Sequence, residues 1–236
     1  MTTPSPRLVL ASASPRRRRL LEWLGLPYEC VTVEIDESLA LEAGGEPEFL
    51  ARDLAERKAL EARKALAASA PEGAGSPDAL ILAFDTIVVA DGRLLGKPAD
   101  REDARSMLES LSGRTHEVVT GVAILCRGTA RPESFTVTTP VRMRTVSEEM
   151  LDEWLAGDEL LGCAGAYNIE RHLASVELDQ CFQNVAGLPL CHLFRALEAM
   201  PGGCVPSAPE RPVPHCDAAR RVRCQLGPRL LDSPGD

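Results

Sequence analysis

No stretch of this chain is long and apolar enough to span a membrane, and the apolar segment Leu8–Ala11 is too short for a secretory signal. These two absences predict a cytoplasmic protein without a membrane partner. Positive charge is also in short supply. The formal net charge is −9, which argues against binding to polymeric nucleic acid. The eight cysteines form no CxxC pair and no zinc-finger spacing, so they are expected to be reduced thiols. The four histidines are far apart, and His192 lies in an apolar helix, where a core role is expected. A kinase-type phosphate loop is excluded because no Gly-x-x-x-x-Gly-Lys-[Ser/Thr] occurs. No internal repeat is visible.

What is present begins at the N-terminus. The apolar residues Leu8–Ala11 read as a buried strand, which stops at Ser12-Ala13-Ser14-Pro15 and restarts as a helix opening with Arg16–Arg19. Proline is tolerated in a first helical turn. Leu20, Leu21 and Leu24 then fall at helical spacing. Ser12, Ser14, Arg16 and Arg17 therefore sit at a strand-to-helix junction, where backbone N–H groups and the helix dipole attract anions. Four arginines there oppose the dipole, so they ask for an anionic partner, and a polyphosphate suits their geometry.

Further along, Tyr28–Ile35 reads as a strand and Glu46–Lys64 as a helix. Ala79–Phe84 reads as a central strand followed by a second run, Ile87–Ala90. Asp91-Gly92 signals a hairpin. Asp100 caps a helix that Gly113 ends. Val118–Leu125 and Phe135–Arg144 alternate as strands. Ser147 starts a helix to about Ala156, Ala174–Leu178 forms a short strand, and Gly187-Leu188-Pro189 opens a last helix to about Met200. Interleaved strands and helices of this kind predict an α/β fold. Residues 201–236 are rich in Pro and Gly without periodicity and read as a disordered tail after a domain over residues 1–200.

Several residues could carry chemistry. Asp85 follows a buried strand directly, a place where α/β folds put ligands; a base, a metal ligand or a turn former would each suit it. A haloacid-dehalogenase-type phosphatase would need a second aspartate two residues on, where this chain has Ile87. Lys97 lies across the hairpin in Leu95-Gly96-Lys97-Pro98, as a point charge suited to phosphate. Lys58 sits on a highly charged helix turn that reads equally as a solvated face. Asp36 and Glu37 are paired acids that would suit Mg²⁺ or remain solvated. His116 has no evident partner. Gly165–Glu170 forms a small-residue loop able to admit a flat base near Tyr167.

Seven segments then follow in order: Ser-x-Ser-Pro-Arg-Arg from Ser12, Ala-x-x-Lys-Ala from Ala55, Ala-Phe-Asp-Thr from Ala83, Leu-Gly-Lys-Pro from Leu95, Leu-Ser-Gly-Arg-x-His-x-Val-x-Thr-Gly from Leu111, Ala-Gly-Ala-Tyr from Ala164 and Asn-Val-x-Gly-Leu-Pro-Leu from Asn184. Together, over about Arg7–Met200, they resemble the Maf family. The resemblance implies an elongated two-lobed α/β fold around a twisted mixed sheet. It also implies a nucleoside triphosphate pyrophosphatase that cleaves between the α- and β-phosphates. Carried over by motif, Ser12, Arg16, Arg17, Lys58 and Lys97 would bind the polyphosphate. Asp85 would be the general base, and a divalent cation, Mg²⁺ or Mn²⁺, would bridge phosphate oxygens. The family also suggests a homodimer, and its link to cell-division arrest gives an alternative: a nucleotide-binding regulator without turnover. Arg16, Thr86 and Glu170 stand where the base is chosen. Arg16 and Thr86 resemble the branch acting on dTTP and UTP, whereas Glu170 resembles the branch that prefers 7-methyl-GTP. A glutamate there accepts hydrogen bonds but cannot donate them, so it is expected to shift the pocket away from strict thymine and uracil selection.

Overall fold

The first strand, β1 (Arg7–Ala11), is held on both sides by parallel neighbours, β2 (Tyr28–Val31) and β3 (Ala79–Ala90). In the computed structural model, which describes residues 6–36, 45–69 and 78–232, the chain builds one mixed sheet. After β3 come β4 (Arg93–Leu95), β5 (Thr115–Leu125), β6 (Glu133–Met143) and β7 (Ala174–Ser175). The spatial order is β2-β1-β3-β5-β6-β7, with β4 paired on β3. Apart from the two parallel pairings of β1, all pairings are antiparallel, and the predicted α/β class is therefore a sheet of mixed direction.

Period-two alternation assigns the faces. Leu8, Leu10, Leu80, Leu82 and Phe84 point into the larger core. There they meet Leu20 and Leu21 of α1 (Pro15–Glu22), Leu108 and Leu111 of α3 (Arg101–Leu111), and Leu190 and Leu193 of α6 (Leu190–Ala199). On the opposite face Val9, Ala11, Ile81 and Ala83 meet α2 (Pro47–Ala68), whose inner stripe is Ala55, Ala59 and Ala62. Alanine keeps α2 close to the sheet. At Gly121 of β5 the approach is closest: a Cβ there would lie 2.0 Å from the Ala51 carbonyl oxygen. The caps at Asp100 and Ser147 form as the sequence predicts: each side chain accepts a hydrogen bond from the first turn of α3 and of α4 (Glu148–Leu155).

Four expectations are corrected. The runs expected to be separate around Asp85 are one continuous strand, β3. The strand at Tyr28 ends at Val31, not Ile35. Cys126 and Cys204 are joined by a disulfide across a sequence separation of 78, so the thiols are not all reduced. Residues 201–232 are not disordered. They carry α7 (Val213–Arg220) and α8 (Leu226–Asp232) and lie on the body near α5 (Phe182–Val185). Their order comes from contacts with the rest of the chain. Glu210 N–H donates to the Leu24 carbonyl at 2.8 Å, His215 stacks on Trp23, and the Arg220 guanidinium lies 4.5 Å from the Phe182 ring centre. Among the described residues no helix is long and apolar enough to cross a membrane.

Candidate active site

The site lies in a gap in the sheet. β1 ends with Ala11 opposite Ala83, and β4 begins to pair only at Val88, opposite Leu95. Between them, residues Phe84–Ile87 of β3 are paired on their other side alone, with β5. The polar pair Asp85-Thr86 occupies this stretch. Consecutive strand residues face opposite ways, so Asp85 turns toward α2 and Thr86 toward α1.

The segment after β1 turns into the gap. Ser14 N–H donates to Ser12 Oγ at 3.2 Å, and Ser14 Oγ in turn accepts the Arg17 N–H as the N-cap of α1. This directs the helix opening, with its dipole and its arginines, at the gap. Arg17 is held by three groups: its Nε donates to the Gly187 carbonyl at 2.9 Å, Nη2 to Thr86 Oγ1 at 2.9 Å, and Nη1 to Ser12 Oγ at 3.4 Å. Gly187 has a φ of +97°, and a Cβ there would lie 3.3 Å from Arg17 Nε, so glycine serves both the backbone and the approach. Arg16 donates from Nη1 to Cys163 Sγ at 2.9 Å.

Across the gap Lys58 of α2 forms an ion pair with Asp85, and both side chains are largely buried. Behind Thr86 stands a buried polar chain. Thr86 and Thr120 hydroxyls are 3.0 Å apart, and Thr120 donates to the Asn184 carbonyl at 3.2 Å. Asn184 Nδ2 reaches Val118 O, Val137 O and Thr139 Oγ1 within 3.1 Å. This chain fixes the loop that presents Gly187.

A cleft of about 1050 Å³ opens here, lined by Ser12, Arg16, Arg17, Lys58, Thr86, Lys97 and Glu170 among others. A smaller cavity of about 100 Å³ adjoins it; Arg17, Lys58, Thr86 and Lys97 line both, and Asp85 lines the smaller one. Five cationic side chains, Arg16, Arg17, Arg19, Lys58 and Lys97, thus face three acids, Glu34, Asp85 and Glu170, on a chain whose net charge is −9. An anionic ligand fits that local excess.

On the cleft wall Arg19 and Glu170 form an ion pair. Tyr167 lines the wall, with its hydroxyl 2.7 Å from His116 Nε2. Burial holds His116 neutral, lowering its pKa to about 4, and pushes the Tyr167 phenol up.

Eight of the residues picked from sequence thus meet at one gap: Ser12, Arg16, Arg17, Lys58, Asp85, Thr86, Lys97 and Glu170. Lys58 is not on a solvated face, Asp85 is in mid-strand rather than at a strand end, and His116 has a partner in Tyr167. Asp36 is exposed and is not among the residues lining the cleft, while Glu37 lies outside the described residues. Among the described residues no three His, Cys, Asp or Glu side chains gather as a metal cage. A hard cation here would take most of its oxygens from a bound phosphate chain, with the Glu34 carboxylate on the cleft wall. Sequence reasoning passed over Arg19 as part of a basic run, held Thr120 only as one letter of a motif, and missed the cleft residue Glu34. Asn184 was visible only as one letter of a motif.

The family model described as Maf-like protein matches residues 7–200. The dTTP/UTP pyrophosphatase of Syntrophomonas wolfei is 41% identical over 191 residues, covering 80% of this chain and 94% of that protein. The dTTP/UTP pyrophosphatase of Pelotomaculum thermopropionicum is 40% identical over 193 residues, covering 81% and 95%. That of Halalkalibacterium halodurans is also 40% identical over 193 residues, covering 81% and 94%.

Proposed function

The chain belongs to the Maf family, and on that premise we propose that it is a nucleoside triphosphate pyrophosphatase acting on dTTP and UTP. The observation that carries this reading is the ion pair of Lys58 with Asp85 beside the Ser12–Arg17 turn, inside one cationic cleft.

The triphosphate lies along the opening of α1, with Arg16, Arg17 and Lys97 countering its charge. Water attacks the α-phosphorus, and Asp85 takes its proton. The bond from that phosphorus to the α,β-bridging oxygen breaks, and the oxygen leaves with pyrophosphate. Lys58 holds Asp85 in place through their ion pair, and its charge stays beside the phosphates as negative charge shifts to the leaving group. Glu34 would hold a divalent cation together with phosphate oxygens; when bound, it would supply further charge neutralisation. The three-way grip on Arg17 means that its guanidinium needs no reorganisation when substrate arrives.

Pyrophosphate release from dTTP and UTP with Mg²⁺ tests this reading. Asp85→Asn keeps the shape of the site but cannot take the proton, so kcat falls on the order of 10²–10⁴-fold while nucleotide binding persists. Equal rates for the variant and the parent protein would remove Asp85 from the chemistry.

A further inference from the structure

Glu170 poses a problem for a site that takes uracil or thymine. Those bases present two carbonyl oxygens flanking one N3–H, and an isolated carboxylate repels the oxygens. In the structure the carboxylate is not isolated. Arg19, one helical turn beyond Arg16 on α1, closes an ion pair with Glu170, and both side chains line the cleft. The position is also suitable. Arg19 lies about 4.5 Å further along the helix axis than Arg16, and so further from the α1 opening where Ser12 and Arg17 gather. Glu170 is anchored from its own side, since its backbone N–H donates to Asn168 Oδ1 at 3.1 Å.

We infer that Arg19 is a specificity-determining residue, and that Arg19 and Glu170 read the base as one unit. The guanidinium donates toward a base carbonyl while the carboxylate accepts from N3–H. Neither side chain can do both, because arginine has only donors and an ionised glutamate only acceptors. Together they offer the donor and the acceptor that a single amide would offer. Arg19 also offsets the charge that would otherwise repel a uracil edge. The pair is partly exposed, so on the bare surface it adds little to stability; its effect is felt when a nucleotide covers it and excludes water. This inference rests on reading the cleft as a nucleoside triphosphate site.

The test compares binding of the α,β-methylene analogues of UTP and CTP, by calorimetry with Mg²⁺, in the full-length protein. Cytosine replaces one carbonyl by an amino group, which a lone carboxylate favours. Arg19→Met, which removes the donor, should lower the ratio of UTP-analogue to CTP-analogue affinity by about tenfold. Arg19→Lys, which keeps the charge, should hold the ratio within about threefold of the parent. Adding Glu170→Gln to Arg19→Met should restore the uracil preference, because the amide both donates and accepts. A purely structural role for Arg19 would weaken both analogues alike and leave the ratio unmoved; that result, or a double variant that fails to recover the preference, overturns the inference. Failure of the parent protein to bind either analogue would overturn the nucleotide reading itself, and this inference with it. Binding of both with an unmoved ratio overturns the inference alone.

Discussion

Arg17 shows how one residue ties the site together. Its three hydrogen bonds join the turn after β1, the middle of β3 and the loop before α6. The sequence placed Arg17 at a helix opening near phosphate, because Pro15 and the flanking serines mark that boundary. It could not reveal the grip on Gly187, since a glycine 170 positions away does not say which side chain its carbonyl meets. The histidines behave similarly. His192 read as a core residue, and burial lowers its pKa to about 4, as it does that of His116. Both are neutral when folded and titrate near 6.5 when unfolded. Between those values the unfolded chain binds more protons, so their contribution is whole above about pH 6.5 and is lost as pH falls toward 4. Each contributes on the order of 3 kcal/mol at most across that window. Urea midpoints measured at pH 7.5 and 5.0 should therefore differ less in a His116→Gln, His192→Gln double variant than in the parent. An unchanged difference would mean that other groups carry the acid sensitivity.

At the scale of elements, α2 depends on Gly121. That glycine pairs with Asp85 across the β3–β5 ladder, and the Ala51 backbone of α2 rests against it. Lys58 lies seven residues further along the same helix, about two turns, so the contact at Gly121 also sets where Lys58 meets Asp85. Gly121→Ala should push the helix outward. We expect a loss of about 1–3 kcal/mol, or more if the backbone cannot yield, together with a lower kcat. Thermal melting and steady-state rates check this; an unshifted melt with full activity would show that α2 adapts without cost. The helices and the hairpin were legible because caps and turn residues mark their ends. β3 was not read as one strand, because an aspartate beside a threonine interrupts its apolar pattern. In a fully paired central strand that interruption would be costly. Here it is tolerated, since the gap between β1 and β4 gives Asp85 a lysine and Thr86 an arginine.

At the scale of the whole molecule, the family match ends at residue 200 but the ordered structure does not. Residues 201–232 carry little amphipathic pattern, and sequence reasoning took that as disorder. Their order is imposed from outside: by the disulfide Cys126–Cys204, by Cys216 buried against Gln183, and by the Glu210 bond to Leu24 just past α1. None of these follows from local periodicity. Truncation after Met200 should cost about 2–5 kcal/mol in urea unfolding, much of it from the lost disulfide. A truncated protein as stable as the full chain would show that the segment merely rests on the surface.

The central claim is that this cleft cleaves a nucleoside triphosphate by attack of water at the α-phosphorus, with Asp85 as the base. Turnover of dTTP in ¹⁸O-enriched water, with products resolved by mass spectrometry, addresses it most directly. The account predicts unlabelled pyrophosphate and a single ¹⁸O in the nucleoside monophosphate, both lost in Asp85→Asn. Label in the pyrophosphate, release of orthophosphate, or undiminished turnover in the variant would contradict it.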